Sequence, residues 1–264
     1  MSRQRPRPTS MTAHGAAPTP PVRDADGHLV LPPSPDLLRQ VLDEGVRDLI
    51  LYFSTGKDSI AMWLWLREAA PDIHIWPVYL HLVPGLRSDA ENLSYYEEFF
   101  GQHILRFPHP LLYTMLADLV YQPPERVAQI LALDLIRFGF ADVDRAIASS
   151  YLSGRPYYAA MGMRMADNLD RRMMMYQNGV LGRKTRRFYY AIWDWNMQQV
   201  TDAIVRSQVK LPRAYEFSGR TIAAIDYFYM KPFREAYPDD FERILEWFPL
   251  LEAEFFRYER LAHE

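Results

Sequence analysis

Short apolar runs at residues 48–53, 73–80 and 103–107 recur in steps of roughly thirty residues, with helix-spaced stretches between them. That alternation constrains the fold most, because parallel strands need a crossover of about a dozen residues or more, and a helix supplies it. The first run, Asp48-Leu49-Ile50-Leu51-Tyr52-Phe53, has the length and apolarity of a strand buried on both faces. Behind it, Ile60, Met62, Trp63, Leu64 and Leu66 space a helix that ends near Pro71. The second run carries Pro77, which predicts an edge or bulged strand. A helix over 89–101 follows, and then the third strand. Residues 111–152 read as helical, with Pro123-Pro124 at a helix start, and 157–163 read as a fourth buried strand. From Trp193 on, the chain reads as helices broken by Pro212, Pro232, Pro238 and Pro249. The expected fold is a doubly wound, mostly parallel α/β sheet with a helical C-terminal lobe. Residues 1–33, rich in Pro, Arg, Ala and Thr without periodicity, read as a disordered leader. The α/β domain is expected over 34–192, opening on a helix capped by Ser34, and the lobe over 193–264.

The chemistry concentrates where the first strand ends. Ser54-Thr55-Gly56-Lys57-Asp58-Ser59 stands at a strand-to-helix junction, where unpaired N–H groups and the helix dipole both favour an anion. In this reading Gly56 permits a sharp turn and close approach to phosphate, while Ser54 and Ser59 donate hydroxyl hydrogen bonds. Lys57 supplies positive charge, and Asp58 holds a magnesium ion shared with the phosphates. The spacing is not that of the Walker loop, since Leu51 stands where its first glycine belongs and Asp58 follows the lysine. The competing reading is a βα turn whose Ser and Asp side chains only cap a helix.

Composition narrows the rest. The chain of 264 residues has no cysteine, which excludes disulfides, thiol nucleophiles and Cys-ligated zinc or iron–sulfur clusters. His81, His103 and His109 lack metal-ligand spacing, so zinc is not expected. The net charge of -3 counts against a protein that coats nucleic acid. Arg183, Lys184, Arg186 and Arg187 nevertheless offer a local basic cluster for an anionic partner. The competing reading is a solvated face. Met173-Met174-Met175, Tyr189, Tyr190, Trp193 and Trp195 read as core. No apolar run reaches the ~20 residues that span a bilayer. Arg3, Arg5 and Arg7 precede no apolar signal region, so a cytoplasmic protein without a membrane partner is expected.

The loop resembles the Ser-Gly-Gly-x-Asp-Ser loop of ATP pyrophosphatases, with Thr55 in place of the first glycine. Met161-Gly162-Met163-Arg164 through Asp167-Asn168-Leu169-Asp170-Arg171 resembles the Gly-x-Arg-x-x-Glu-Ser-x-x-Arg segment of the phosphoadenosine phosphosulfate (PAPS) reductase family. Trp193-Asp194-Trp195, Leu211-Pro212-Arg213-Ala214-Tyr215, and Pro84-Gly85 with Glu91 are similar to further segments of that family, so the likeness spans about residues 45–260. It implies the adenine nucleotide alpha hydrolase fold and an adenine nucleotide, ATP or a relative, bound with magnesium. Ser54, Thr55, Gly56, Lys57, Asp58, Ser59, Gly162, Arg164 and Arg171 would bind it; Lys57, Asp58 and Arg164 would serve catalysis. No iron–sulfur cluster and no zinc are expected. The family's reductases use a cysteine near the C-terminus, which this chain lacks, and its Glu-Ser pair is Asp167-Asn168 here. What the resemblance implies is therefore an adenylyl-transferring ATP pyrophosphatase acting on an unidentified second substrate, not a thiol-dependent reductase. The alternative is a non-catalytic nucleotide-binding subunit or sensor in a nucleic-acid modification system, with nucleic acid or a protein as partner.

Overall fold

The computed structural model describes residues 23–24, 27, 29–183, 186–219 and 224–261. Most of the expected leader lies outside them. Residues 29–33, placed at its end, are in place: Leu31 packs on the main core and Trp193 Nε1 donates to the Pro32 carbonyl at 3.0 Å.

Six strands form one sheet: β1 (Asp48–Tyr52), β2 (His74–His81), β3 (Leu105–Pro108), β4 (Tyr157–Met161), β5 (Leu181–Gly182) and β6 (Phe188–Tyr190). Their order is β3-β2-β1-β4-β6-β5, and every pairing is parallel except β5 with β6. The chain winds outward from β1 to β3, then returns to the far side of β1 to lay down β4. The expected doubly wound, mostly parallel sheet is present, and its direction reverses between β1 and β4.

Both faces of β1 are covered, which is why its sequence is a continuous apolar run. Leu49, Leu51 and Phe53 meet the layer formed by α1 (Ser34–Asp43), α2 (Lys57–Ala69) and α3 (Arg87–Phe100). Ile50 and Tyr52 meet α6 (Phe140–Ile147) on the other face. Leu49, Ile50 and Leu51 are wholly buried, each worth about 1.5–3 kcal/mol against full exposure. Trp63 of α2 stacks on Phe100 of α3 with ring centroids 3.7 Å apart. Small Ala61 and Ala203 let α8 (Met197–Ser207) lie against α2.

A second core joins α4 (Pro110–Ala117), α10 (Tyr227–Ala236), α11 (Pro238–Trp247) and α12 (Leu251–Leu261) to Val83, just past β2. This helical lobe therefore stands over the carboxyl ends of the strands.

Several expectations are corrected. Pro77 is in an interior strand, opposite Leu51. The His74 amide donates to β1 at Arg47, so the even positions of β2 face β1 and Pro77 faces β3, which pairs only from Val78 onward. The missing N–H of Pro77 thus costs no ladder bond. Pro232 lies inside α10 rather than ending it. Ser34 is buried in the first turn of α1, and its amide donates to Asp194 Oδ2 at 3.0 Å instead of its hydroxyl capping the helix. Strands β5 and β6 were not expected, because the first is very short and arginines lead into the second. Of the methionine run, Met175 is buried but Met173 is exposed.

Candidate functional site

The loop between β1 and α2 opens at the point where the sheet reverses direction. In open α/β sheets the crevice outside the strand ends at that point is where ligands bind. Ser54, Thr55, Gly56, Lys57, Asp58 and Ser59 all line a cleft of about 560 Å³, joined by Gly162 and Arg171 from beyond β4. Pro212, Ala214 and Tyr215, at and beside α9 (Ala214–Ser218), close another side. Three segments far apart in sequence thus border one cavity.

The loop turns at Thr55, not at Gly56. Thr55 has φ 57°, left-handed backbone that a β-branched residue rarely adopts. Gly56 is extended, with φ -74° and ψ 151°, and leads into α2 with no side chain at the N-cap position to cap that helix. The capping turn proposed as a competing reading is therefore not formed. Ser59 Oγ donates to the Gly56 carbonyl at 2.8 Å and lies 3.4 Å from Ser54 Oγ. The Lys57 amide, first of the helix, donates to Tyr215 Oη at 3.0 Å.

Gly162 is needed for close approach. A Cβ there would stand 3.0 Å from the carbonyl carbon and oxygen of Asp58 and 3.1 Å from the Ser59 nitrogen. The segment after β4 is thereby pressed on the first turn of α2.

Behind the loop runs a chain of alternating charges. Lys57 Nζ is 2.7 Å from Asp58 Oδ2. Arg164 Nε is 2.7 Å from Asp58 Oδ1 with its N–H directed off that oxygen, an ion pair without an aligned hydrogen bond. Arg164 Nη2 donates to Asp167 Oδ1 at 2.6 Å, and Arg171 Nη1 pairs with Asp167 Oδ2. Arg164 is only 2% exposed and does not line the cleft, whereas Arg171 does. Two assigned roles change. Arg164, expected on a phosphate, braces Asp58 and Asp167 from below. Asp58, expected to hold magnesium, has each oxygen against a cation, and no group of three or more His, Cys, Asp or Glu suited to a metal occurs among the described residues. The residues present do not fit a metal at Asp58.

The basic cluster is partly offset by acids where it is described. Arg183 and Arg187 pair with Glu44, and Arg186 pairs with buried Asp144 beneath the Tyr52 and Phe140 rings. Lys184 lies outside the described residues. Tyr189, Tyr190, Trp193 and Trp195 are core or pack against it, as expected. His81 does not reach the loop's cleft; it lines a neighbouring cavity of about 700 Å³, and burial lowers its pKa. Sequence reasoning missed the wall opposite the loop, where Tyr79, Ser88, Asp89 and Asn92 line the same cleft. Asp89 read only as the first residue of a helix.

No family model matches the sequence, and no curated protein matches it. Among solved structures, the U34-tRNA thiolase NcsA from Methanococcus maripaludis, with its [4Fe-4S] cluster, is similar at 15% identity and TM-score 0.47, over 83% of this chain and 78% of that one. NAD+ synthetase from Burkholderia pseudomallei is similar at 16% identity and TM-score 0.39, over 82% and 87%. The thiolase also corrects the expectation of no iron–sulfur cluster, because that protein carries one; this chain has no cysteine. No helix among the described residues is long and apolar enough to cross a membrane.

Proposed function

We propose that the chain binds ATP or a closely related adenine nucleotide with its terminal phosphates on residues 54–59, and transfers the adenylyl group to a second substrate with release of pyrophosphate. The observation that carries this reading is the first turn of α2, which follows Gly56 with no N-cap side chain and opens into the cleft at the sheet's switch point, its Lys57 amide held by the Tyr215 hydroxyl. Lys57 and Arg171 line that same cavity. Backbone N–H groups and cations held in place before the ligand arrives favour phosphate without reorganisation. Ser54 adds a hydroxyl donor at the turn, while the Ser59 hydroxyl is spent on the Gly56 carbonyl and holds the loop's shape.

The finer assignment, to a PAPS reductase-like group, is supported by the meeting of its three sequence segments at one cleft: the loop, Gly162 to Arg171, and Pro212 to Tyr215. In this reading Arg164 is a positioning residue. It holds Asp58, which in turn orients the Lys57 ammonium, and it holds Asp167, which orients Arg171. The charge that meets the phosphates is then supplied by Lys57 and Arg171. Thiol-dependent reduction has no nucleophile in a chain without cysteine. A nucleic-acid-facing role has weaker support, since Arg186 pairs with buried Asp144 and Arg183 and Arg187 share Glu44.

Incubation with ATP labelled at the α- or the γ-phosphate tests the reading. Labelled AMP or an adenylylated product from the α-label, with pyrophosphate from the γ-label, is the expected outcome. ADP and inorganic phosphate as the only products would overturn it.

A further inference from the structure

The cleft has two chemically distinct walls. The loop, Lys57 and Arg171 make one, suited to phosphate. On the other, α3 contributes Ser88, Asp89 and Asn92 from its first turn and a half, and β2 contributes Tyr79. The Tyr79 hydroxyl hydrogen-bonds the Asp89 carboxyl. Asp240 of α11, whose charge bears on Asp89, is committed elsewhere: its two oxygens accept from the Arg87 and Ser88 amides at 2.7 and 2.8 Å. Among the described residues, the cation that bears on Asp89 is Arg106 of β3.

We propose that Asp89 accepts the proton from the second substrate as it attacks the nucleotide, so that the substrate presents a neutral hydroxyl or amino group rather than a carboxylate. This rests on the adenylyl-transfer reading and names the acceptor class for the same site. The step balances within the cleft. A lone pair on the acceptor oxygen or nitrogen forms a bond to the α-phosphorus, and the bond from that phosphorus to the bridging oxygen breaks. Pyrophosphate leaves with the electron pair, and the acceptor's proton passes to the Asp89 carboxylate. A carboxylate acceptor has no proton to lose. It would also set a second negative charge beside a buried acid, where like charges are costly. Burial, with the charge of Asp240, pushes Asp89 up to about 6 against the opposing pulls of Tyr79 and Arg106. An acid in that range is ionised at neutral pH yet basic enough to take a proton.

The test uses the full chain with ATP and two probe acceptors, hydroxylamine as a neutral nucleophile and acetate as a carboxylate. ATP affinity is measured in parallel for every variant. Hydroxylamine is expected to accelerate pyrophosphate release by the parent, and acetate is not. Asp89→Asn is expected to keep ATP affinity and lose at least roughly 100-fold in rate. The parent's rate, taken per concentration of unprotonated hydroxylamine, should rise with pH through about 6 and then level, and the variant should lack that limb. Tyr79→Phe removes one hydroxyl and is expected to move the limb to higher pH, a readout that survives if Asp89→Asn does not fold. A variant that binds ATP and keeps both rate and limb overturns the role of Asp89. Acceleration by acetate alone, or by neither probe in a parent that binds ATP, overturns the acceptor class. A parent that binds no ATP instead sinks the nucleotide reading beneath it.

Discussion

Gly162→Ala offers the sharpest test of how the two halves of the site meet. The added methyl would stand 3.0 Å from the Asp58 carbonyl carbon and oxygen and 3.1 Å from the Ser59 nitrogen, against an ordinary carbon contact of about 3.5–4.0 Å. All three atoms belong to the backbone of the first turn of α2, so no side chain can rotate away to make room. Either β4 slides or the helix start moves. Overpacking of this kind costs about 1–3 kcal/mol. At about 2–4 °C per kcal/mol for a chain near this size, the melting temperature should fall by roughly 2–12 °C. Because the atoms displaced carry the anion site, ATP affinity should fall at least tenfold, or about 1.4 kcal/mol. Calorimetry gives the first quantity and isothermal titration the second. A variant that melts within about 1 °C of the parent and binds ATP equally well would show that the segment after β4 does not press on the loop.

Arg164→Met should destabilise the chain by about 3 kcal/mol in urea unfolding, because it strips a buried cation from Asp58 and Asp167; a loss under about 1 kcal/mol would mean the charge chain is not holding the site. Thr55→Gly releases a β-branched residue from left-handed backbone, worth about 1–2 kcal/mol. Added chain entropy offsets about 0.5–1 kcal/mol of that gain. The melting temperature should therefore hold or rise, and a clear fall would refute the strain. Asp89 gives a pH signature. The folded chain keeps its proton up to about 6 and the unfolded chain releases it near 3.8, so stability falls as pH rises through that window and stays lowered above it. The penalty at neutral pH is on the order of 3 kcal/mol. Asp89→Asn should therefore melt above the parent at pH 7.5, with the gap closing toward pH 4; a gap independent of pH would contradict the burial of that carboxyl.

The centre of the sheet was legible because β1 and β4 are buried on both faces, so Leu49-Ile50-Leu51 and Tyr158-Ala159-Ala160 stand out as unbroken apolar runs. Strands β5 and β6 were not, since two- and three-residue strands carry no periodicity. Pro77 misled because the rule against proline in interior strands concerns the N–H direction at one position, which depends on where the neighbouring strand begins. At the site, the loop could be read from its residues. Its working geometry could not: the turn falls on Thr55, and Asp58 answers to Arg164, a partner 106 positions away that only the fold brings into reach. An arginine followed three residues later by an aspartate reads equally well as a phosphate ligand or as half of a buried ion pair. Burial decides between them, and burial of a single polar residue leaves no trace in sequence pattern.

Phosphate binding by residues 54–59 is tested most directly by titrating the full chain with ATP and with adenosine in the same buffer, by isothermal calorimetry. If the first turn of α2 with Lys57 and Arg171 grips the phosphates, ATP binds saturably at one site and adenosine binds at least tenfold more weakly. Equal affinity for the two, or no heat of binding with ATP, would contradict it.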